Sequence, residues 1–150
     1  MQNIRTFALF MARILALDYG RKRVGVAVSD PTQLIAGGLA TVPTAQLPAF
    51  LDDYFAREQV ERLVIGLPKQ VNGQESESMR YIRPFVAMAQ KRWPAMPVEY
   101  YDERFTSVLA HQTMLDAGLK KKDRQDKALV DEISATIILR DYLESKRNLI

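Results

Sequence analysis

The sequence predicts an α/β fold, one mixed five-stranded sheet with helices on both faces, in the order β-β-β-α-β-α-β-α-α. Three observations carry that prediction. Short β-branched runs crowd the first third of the chain, as in a meander. Apolar residues then recur at helical spacing from Leu47 onward. Between the helical segments lie compact apolar runs, and strands joined through helices are normally parallel with right-handed crossovers.

The elements follow in order. Residues 13–18 (RILALD) form a short apolar run ending in the turn Asp18-Tyr19-Gly20. Residues 24–29 (VGVAVS) alternate β-branched with small side chains and pair with the first run as a hairpin. Residues 34–42 make a third strand, with a bulge expected at Gly37-Gly38. Leu47, Phe50, Leu51, Tyr54 and Phe55 share one helical face. Residues 62–67 (RLVIGL) read as a strand buried on both faces. Met79, Ile82, Phe85, Val86, Ala89 and Trp93 give a second helical face, and Pro84 inside it predicts a kink or a late start. Residues 98–102 (VEYYD) are a last short strand. Thr106 or Ser107 can cap a helix running to Asp116, closed by Gly118. A basic loop at 119–125 precedes a final helix over 126–146, with Leu129, Val130, Ile133, Ile137 and Ile138 facing inward.

The 150 residues suit one domain, and no Gly/Ser/Pro-rich linker divides them. The division expected is an N-terminal extension at 1–12, a folded domain at 13–146 and a tail at 147–150. No segment approaches the roughly 18–20 apolar residues that span a bilayer, and Arg13 breaks the short apolar stretch at the N-terminus too early for a signal peptide. With no cysteine, disulfides, thiol nucleophiles and thiolate zinc sites are excluded, which fits a reducing cytoplasm. The single histidine, His111, excludes multi-His metal sites. A net charge of +3 leans mildly toward polyanionic partners.

Ligand sites in such sheets gather at the carboxyl ends of parallel strands. Asp18 closes the first strand, the Asp102-Glu103 pair closes the last, and Asp131 lies one turn into the final helix. Ser134 and Ala135 are small enough to let that helix approach the sheet closely. Hard carboxylate oxygens brought together in this way suit Mg²⁺ or Mn²⁺, and two such ions can hydrolyse a phosphodiester. Each acid also has a plainer reading: Asp18 as a turn former, Asp102 or Glu103 as a strand-end partner of Arg104, Asp131 as a solvated residue. Basic residues flank two of the acids. Arg21, Lys22 and Arg23 follow Asp18, and Lys120, Lys121, Lys122, Arg124 and Lys127 precede Asp131, as a phosphate backbone would require. Tyr19 can stack on a base, but a packed tyrosine is the commoner role. No phosphate-binding loop, dinucleotide fingerprint or Gly-x-Ser-x-Gly elbow is present.

Residues 18–30 (DYGRKRVGVAVSD) resemble the opening motif of the YqgF/RuvX family. Residues 64–68 (VIGLP) with Asn72-Gly73, residues 102–107 (DERFTS), and then Lys127, Asp131, Ala135 and Ile138-Leu139 follow in that family's order and spacing. The resemblance covers about residues 13–143. It implies an RNase H-like fold, and Asp18, Glu103 and Asp131 as catalytic acids and metal ligands, favouring Glu103 over Asp102. It implies nucleic acid as the partner: the 5′ end of pre-16S ribosomal RNA first, a DNA Holliday junction as the alternative. Asn72 where an aspartate is common, Pro84 and the N-terminal extension depart from the family pattern, and none touches the three acids. A non-catalytic nucleic-acid-binding module would need no carboxylates at these positions. An actin-like ATPase, which also opens on Asp-x-Gly and a hairpin, would need a second domain. No dimer surface stands out in the pattern, which suits a monomer or weak dimer.

Overall fold

The computed structural model describes residues 12–67, 77–102 and 127–148. Five strands form one sheet: β1 (Arg13–Tyr19), β2 (Arg23–Ser29), β3 (Ala36–Pro43), β4 (Val60–Leu67) and β5 (Val98–Asp102). Their spatial order is β3-β2-β1-β4-β5. The first three strands pair antiparallel as the predicted meander, and β4 and β5 add in parallel on the other side of β1. Among the described residues three α-helices accompany the sheet: α1 (Leu47–Arg57), α2 (Met79–Arg92) and α3 (Lys127–Asn148).

Alternation along the central strands divides the interior into two layers. Leu15 and Leu17 of β1, Val24 and Val26 of β2, and Leu63 and Ile65 of β4 point to one face. There they pack with Leu47, Leu51 and Tyr54 of α1 and Met79, Ile82, Phe85, Val86 and Ala89 of α2. Ile14, Ala16, Ala27 and Val64 point to the other face and meet Ala135, Ile138, Leu139, Tyr142 and Leu143 of α3. β4 is thus buried on both faces, as its continuous apolar run requires. Asp52 ties α1 to α2, accepting from the Trp93 indole at 2.8 Å and pairing with Arg92.

Several boundaries differ from the sequence reading. β3 begins at Ala36, not Leu34, because Asp30 captures the turn before it. Its carboxylate accepts from the backbone N–H groups of Thr32, Leu34 and Ile35 at 3.1, 2.8 and 2.7 Å. Leu34 and Ile35 are therefore held in an exposed turn. The expected bulge is present: Val26 pairs with Ala40 and Ala27 with Gly38, so the register slips beside the glycine pair. Pro84 lies within α2 on its exposed side, and the helix starts at Met79, the first residue of the expected apolar face, so the proline does not delay it. Along α3 the buried stripe sits further toward the C-terminus than expected. Ile137 and Ile138 are buried, whereas Leu129, Val130 and Ile133 are half-buried. The helix expected over 106–116 and its cap at Gly118, His111 and the extension at 1–11 lie outside the described residues.

α3 is fastened at both ends. Toward its C-terminus, the Tyr142 hydroxyl donates to Glu99 of β5 at 2.7 Å, and Arg62 of β4 pairs with the same carboxylate. At its N-terminus the helix lies on the row Asp18, Gly25, Thr41, which are cross-strand partners on β1, β2 and β3. The Thr41 hydroxyl donates to the Ala128 carbonyl. A β-carbon on Gly25 would lie 2.0 Å from the Asp131 carbonyl oxygen, so the helix backbone occupies the space a side chain would fill. A β-carbon on Gly38 would likewise meet Glu132, 2.4 Å from its side-chain oxygen. Gly25→Ala therefore forces α3 away from the sheet. Such overpacking costs about 1–3 kcal/mol, a fall of roughly 3–10 °C in melting temperature. Thermal melts of the variant beside Ala27→Gly, which opens space in the same strand without a clash, check this.

Candidate active site

β1 brings Asp18 to the carboxyl end of the sheet on the face that α3 covers, since Ile14 and Ala16 of that strand belong to the same layer. Its cross-strand partner is Gly25, and Gly25 is where the Asp131 backbone rests. One missing side chain thus sets two carboxylates, 113 positions apart in sequence (131 − 18), on the same spot. Together with Gly20, Arg21, Lys22 and Arg23 they line a cleft of about 330 Å³. Gly20 closes the tight turn beneath it: its N–H donates to the Arg23 carbonyl at 3.0 Å, and a β-carbon there would lie 2.6 Å from that oxygen.

The cleft's electrostatics are those of an anion trap with acids at its floor. Burial, and secondarily the Asp131 charge, push the Asp18 carboxyl up to about 6. Arg23 reaches across from β2 and forms an ion pair with Asp131. Arg21 and Lys22 are exposed at the mouth. Two carboxylates that repel each other in a partly dehydrated cleft make the donor set that a hard divalent cation relieves, and oxygen is the ligand such cations take. The residues present therefore fit a divalent metal.

Of the residues singled out in the sequence, Asp18, Asp131, Arg21, Lys22 and Arg23 line this one cleft. Arg23 forms an ion pair with Asp131 and stays half-exposed in the cleft lining beside Arg21 and Lys22. Lys127 opens α3. Glu103, Arg104, Lys120, Lys121, Lys122 and Arg124 lie outside the described residues. The chain reaches Glu103 directly from β5, whose last residue, Asp102, is in register with Leu67 of β4. Tyr19 is packed: its ring lies 4.9 Å from Phe85 of α2. The sequence reading passed over the neighbouring turn of that helix. There Arg80, Tyr81 and Arg83 are exposed, and the Arg21 guanidinium lies over the Tyr81 ring at 5.9 Å. An aromatic between arginines at 80 and 83, set off the stripe between Met79 and Ile82, was the available signal.

The Asp18 shift has a consequence for stability. Its carboxyl ionises near pH 6 in the folded chain against an ordinary value of 3.8, so the folded state binds the proton more tightly. The contribution is fully present below pH 3.8 and is lost as pH rises through 6, to an extent of at most about 3 kcal/mol. In chelator at pH 7.5, Asp18→Asn should melt several degrees above the parent chain. The gap should close near pH 4. Melting curves across that range read it directly.

A family described as RuvX, Holliday junction resolvase, matches residues 12–145. A protein of Bacteroides thetaiotaomicron, provisionally named a pre-16S rRNA nuclease, is 69% identical over 137 residues, covering 91% of this chain and 99% of its own. Similarly named proteins of Porphyromonas gingivalis and Flavobacterium johnsoniae are 58% and 60% identical, each over at least 90% of this chain and 98% of their own. Among solved structures, that of T. thermophilus RuvC in complex with a Holliday junction substrate is similar with a TM-score of 0.54 at 15% identity, covering 91% of this chain and 96% of that one. That likeness is one of fold, and it agrees with the RNase H-like architecture expected from the sequence. No helix among the described residues is long and apolar enough to cross a membrane.

Proposed function

The chain belongs to the RuvX family, and on that premise we propose that it is a divalent-metal-dependent nuclease that trims the 5′ end of pre-16S ribosomal RNA. The observation that carries the reading is the convergence of Asp18 and Asp131 in a cleft whose mouth is cationic. Asp18, Asp131 and, from the residue after β5, Glu103 would hold Mg²⁺ or Mn²⁺. Bound there, the cation supplies positive charge to the phosphoryl oxygens and lowers the pKa of a water.

The chain's own residues do the rest. Arg21, Lys22 and Arg23 receive the phosphates on either side of the scissile bond, in company with Arg104, Lys120, Lys121, Lys122, Arg124 and Lys127. Arg23 pairs with the Asp131 carboxylate and holds it in place. Asp18, protonated more readily than an ordinary carboxyl, must lose its proton before it can act as a ligand, so cleavage rises with pH through about 6. Asp131 and Asp18 are set by packing rather than by flexible loops, which preserves their separation during turnover. The nuclease unit is residues 13–146, acting in the cytoplasm as a monomer or weak dimer, with 1–12 and 147–150 as appendages.

The test offers the purified chain, with Mg²⁺ or Mn²⁺, a precursor ribosomal RNA leader and a four-way DNA junction at equal concentration. RNA cleavage is expected, and it should fall at least a hundredfold, about 3 kcal/mol of barrier, in folded Asp18→Asn, Glu103→Gln and Asp131→Asn. Symmetric junction cleavage without RNA cutting, lost in the same variants, would assign the chain the activity in its family's description instead. Full activity in Asp18→Asn would remove the proposed chemistry. Replacing Lys120, Lys121 and Lys122 together with Ala should weaken binding equally across unrelated sequences. The log–log salt slope should flatten by up to about three. Filter binding at several salt concentrations measures both.

A further inference from the structure

We infer that Tyr81, backed by Arg21, is a stacking shelf for an unpaired base next to the cleaved phosphate, so that the site takes its strand single at that point. The inference rests on the nuclease reading and deepens it. The geometry begins at β1. Tyr19, next to Asp18, packs on Phe85 and so fixes α2 against the end of the strand. Tyr81 is four residues before Phe85, one helical turn back on neighbouring surface of α2. Arg21, which lines the cleft with Asp18, extends to that turn and sets its guanidinium over the Tyr81 ring at 5.9 Å.

Tyr81 is nonetheless 41% exposed, one of the few large apolar side chains left in solvent among the described residues. A partly exposed aromatic ring with a cation over it is a platform that accepts a base of any sequence. Arg21 belongs to the cleft and the shelf at once, so a base on Tyr81 and a phosphate at Arg21 are neighbours on one strand. Arg80, exposed next to Tyr81 on α2, adds a further cation for the flanking backbone. A base paired in a duplex keeps its faces covered by its neighbours and cannot use the ring, whereas an unpaired base can. The shelf therefore selects for a single-stranded flank.

The test measures binding by the full chain in chelator, where no cleavage occurs. The probes are an RNA oligonucleotide carrying one 2-aminopurine and a blunt duplex of the same sequence. The single strand should bind with a change in 2-aminopurine fluorescence. Tyr81→Leu should weaken single-strand binding about fivefold to a hundredfold, the range of base–aromatic stacking, and leave duplex binding within about twofold. Tyr81→Phe should keep both the affinity and the fluorescence change. An equal loss for single strand and duplex, or parental affinity in Tyr81→Leu with an unchanged melting temperature, overturns the shelf. In that case cleavage lost in Asp18→Asn still supports the nuclease. A parent chain that binds neither probe, at low salt, overturns both.

Discussion

The contact on which this molecule's function turns is a backbone against a bare strand. The carbonyl of Asp131 lies where Gly25 would carry a side chain, so α3 sits deeper on the sheet than any other residue there would allow. Ala16, Ala27 and Ala135 keep the neighbouring contact shallow, and Gly38 admits Glu132. Because Asp18 is the cross-strand partner of Gly25, the same approach that packs the helix also places its acid beside the acid of β1. Stability and site geometry are one constraint here, and they are fixed from the far end as well by Tyr142 on Glu99.

That arrangement carries a cost that explains the cleft's other residues. Burial first, and the Asp131 charge second, disfavour the ionised form of the Asp18 carboxyl and raise its pKa. Arg23 offsets the repulsion on one acid without filling the space in front of Asp18. Arg21 and Lys22, a step further out on the same tight turn, remain available to incoming phosphate because Gly20 lets the loop fold back on itself.

Much of this was legible in the chain. The meander, the buried β4 and the faces of α1 and α2 are written in side-chain periodicity, which reports burial directly. The bulge at Gly37-Gly38 was legible for a like reason, since glycine pairs disturb a ladder. The start of β3 was not, because Leu34 and Ile35 look like strand and only Asp30's side-chain hydrogen bonds hold them in a turn. The α3 stripe was misplaced toward Leu129 because apolarity marks which face packs but not how a helix slants across a sheet. The convergence of Asp18 and Asp131 was legible, but not the contact that makes it: Gly25 within VGVAVS looks like simple alternation, and its role exists only once α3 lies on it. Arg23 was read as one of three loop cations, since no local pattern reveals a partner 108 residues away. The relation of Tyr81 to Arg21 is likewise a property of the fold.

The central claim is that Asp18 and Asp131 face one divalent cation at the carboxyl edge of the sheet. Paramagnetic broadening of backbone amide signals by substoichiometric Mn²⁺ tests it most directly, because the effect falls steeply with distance and needs no substrate. The account predicts that Tyr19, Gly20, Gly25 and Glu132 lose their signals first, and that Asp18→Asn abolishes the pattern while leaving the spectrum folded. Broadening centred elsewhere on the sheet, or the same pattern surviving in Asp18→Asn, would contradict it.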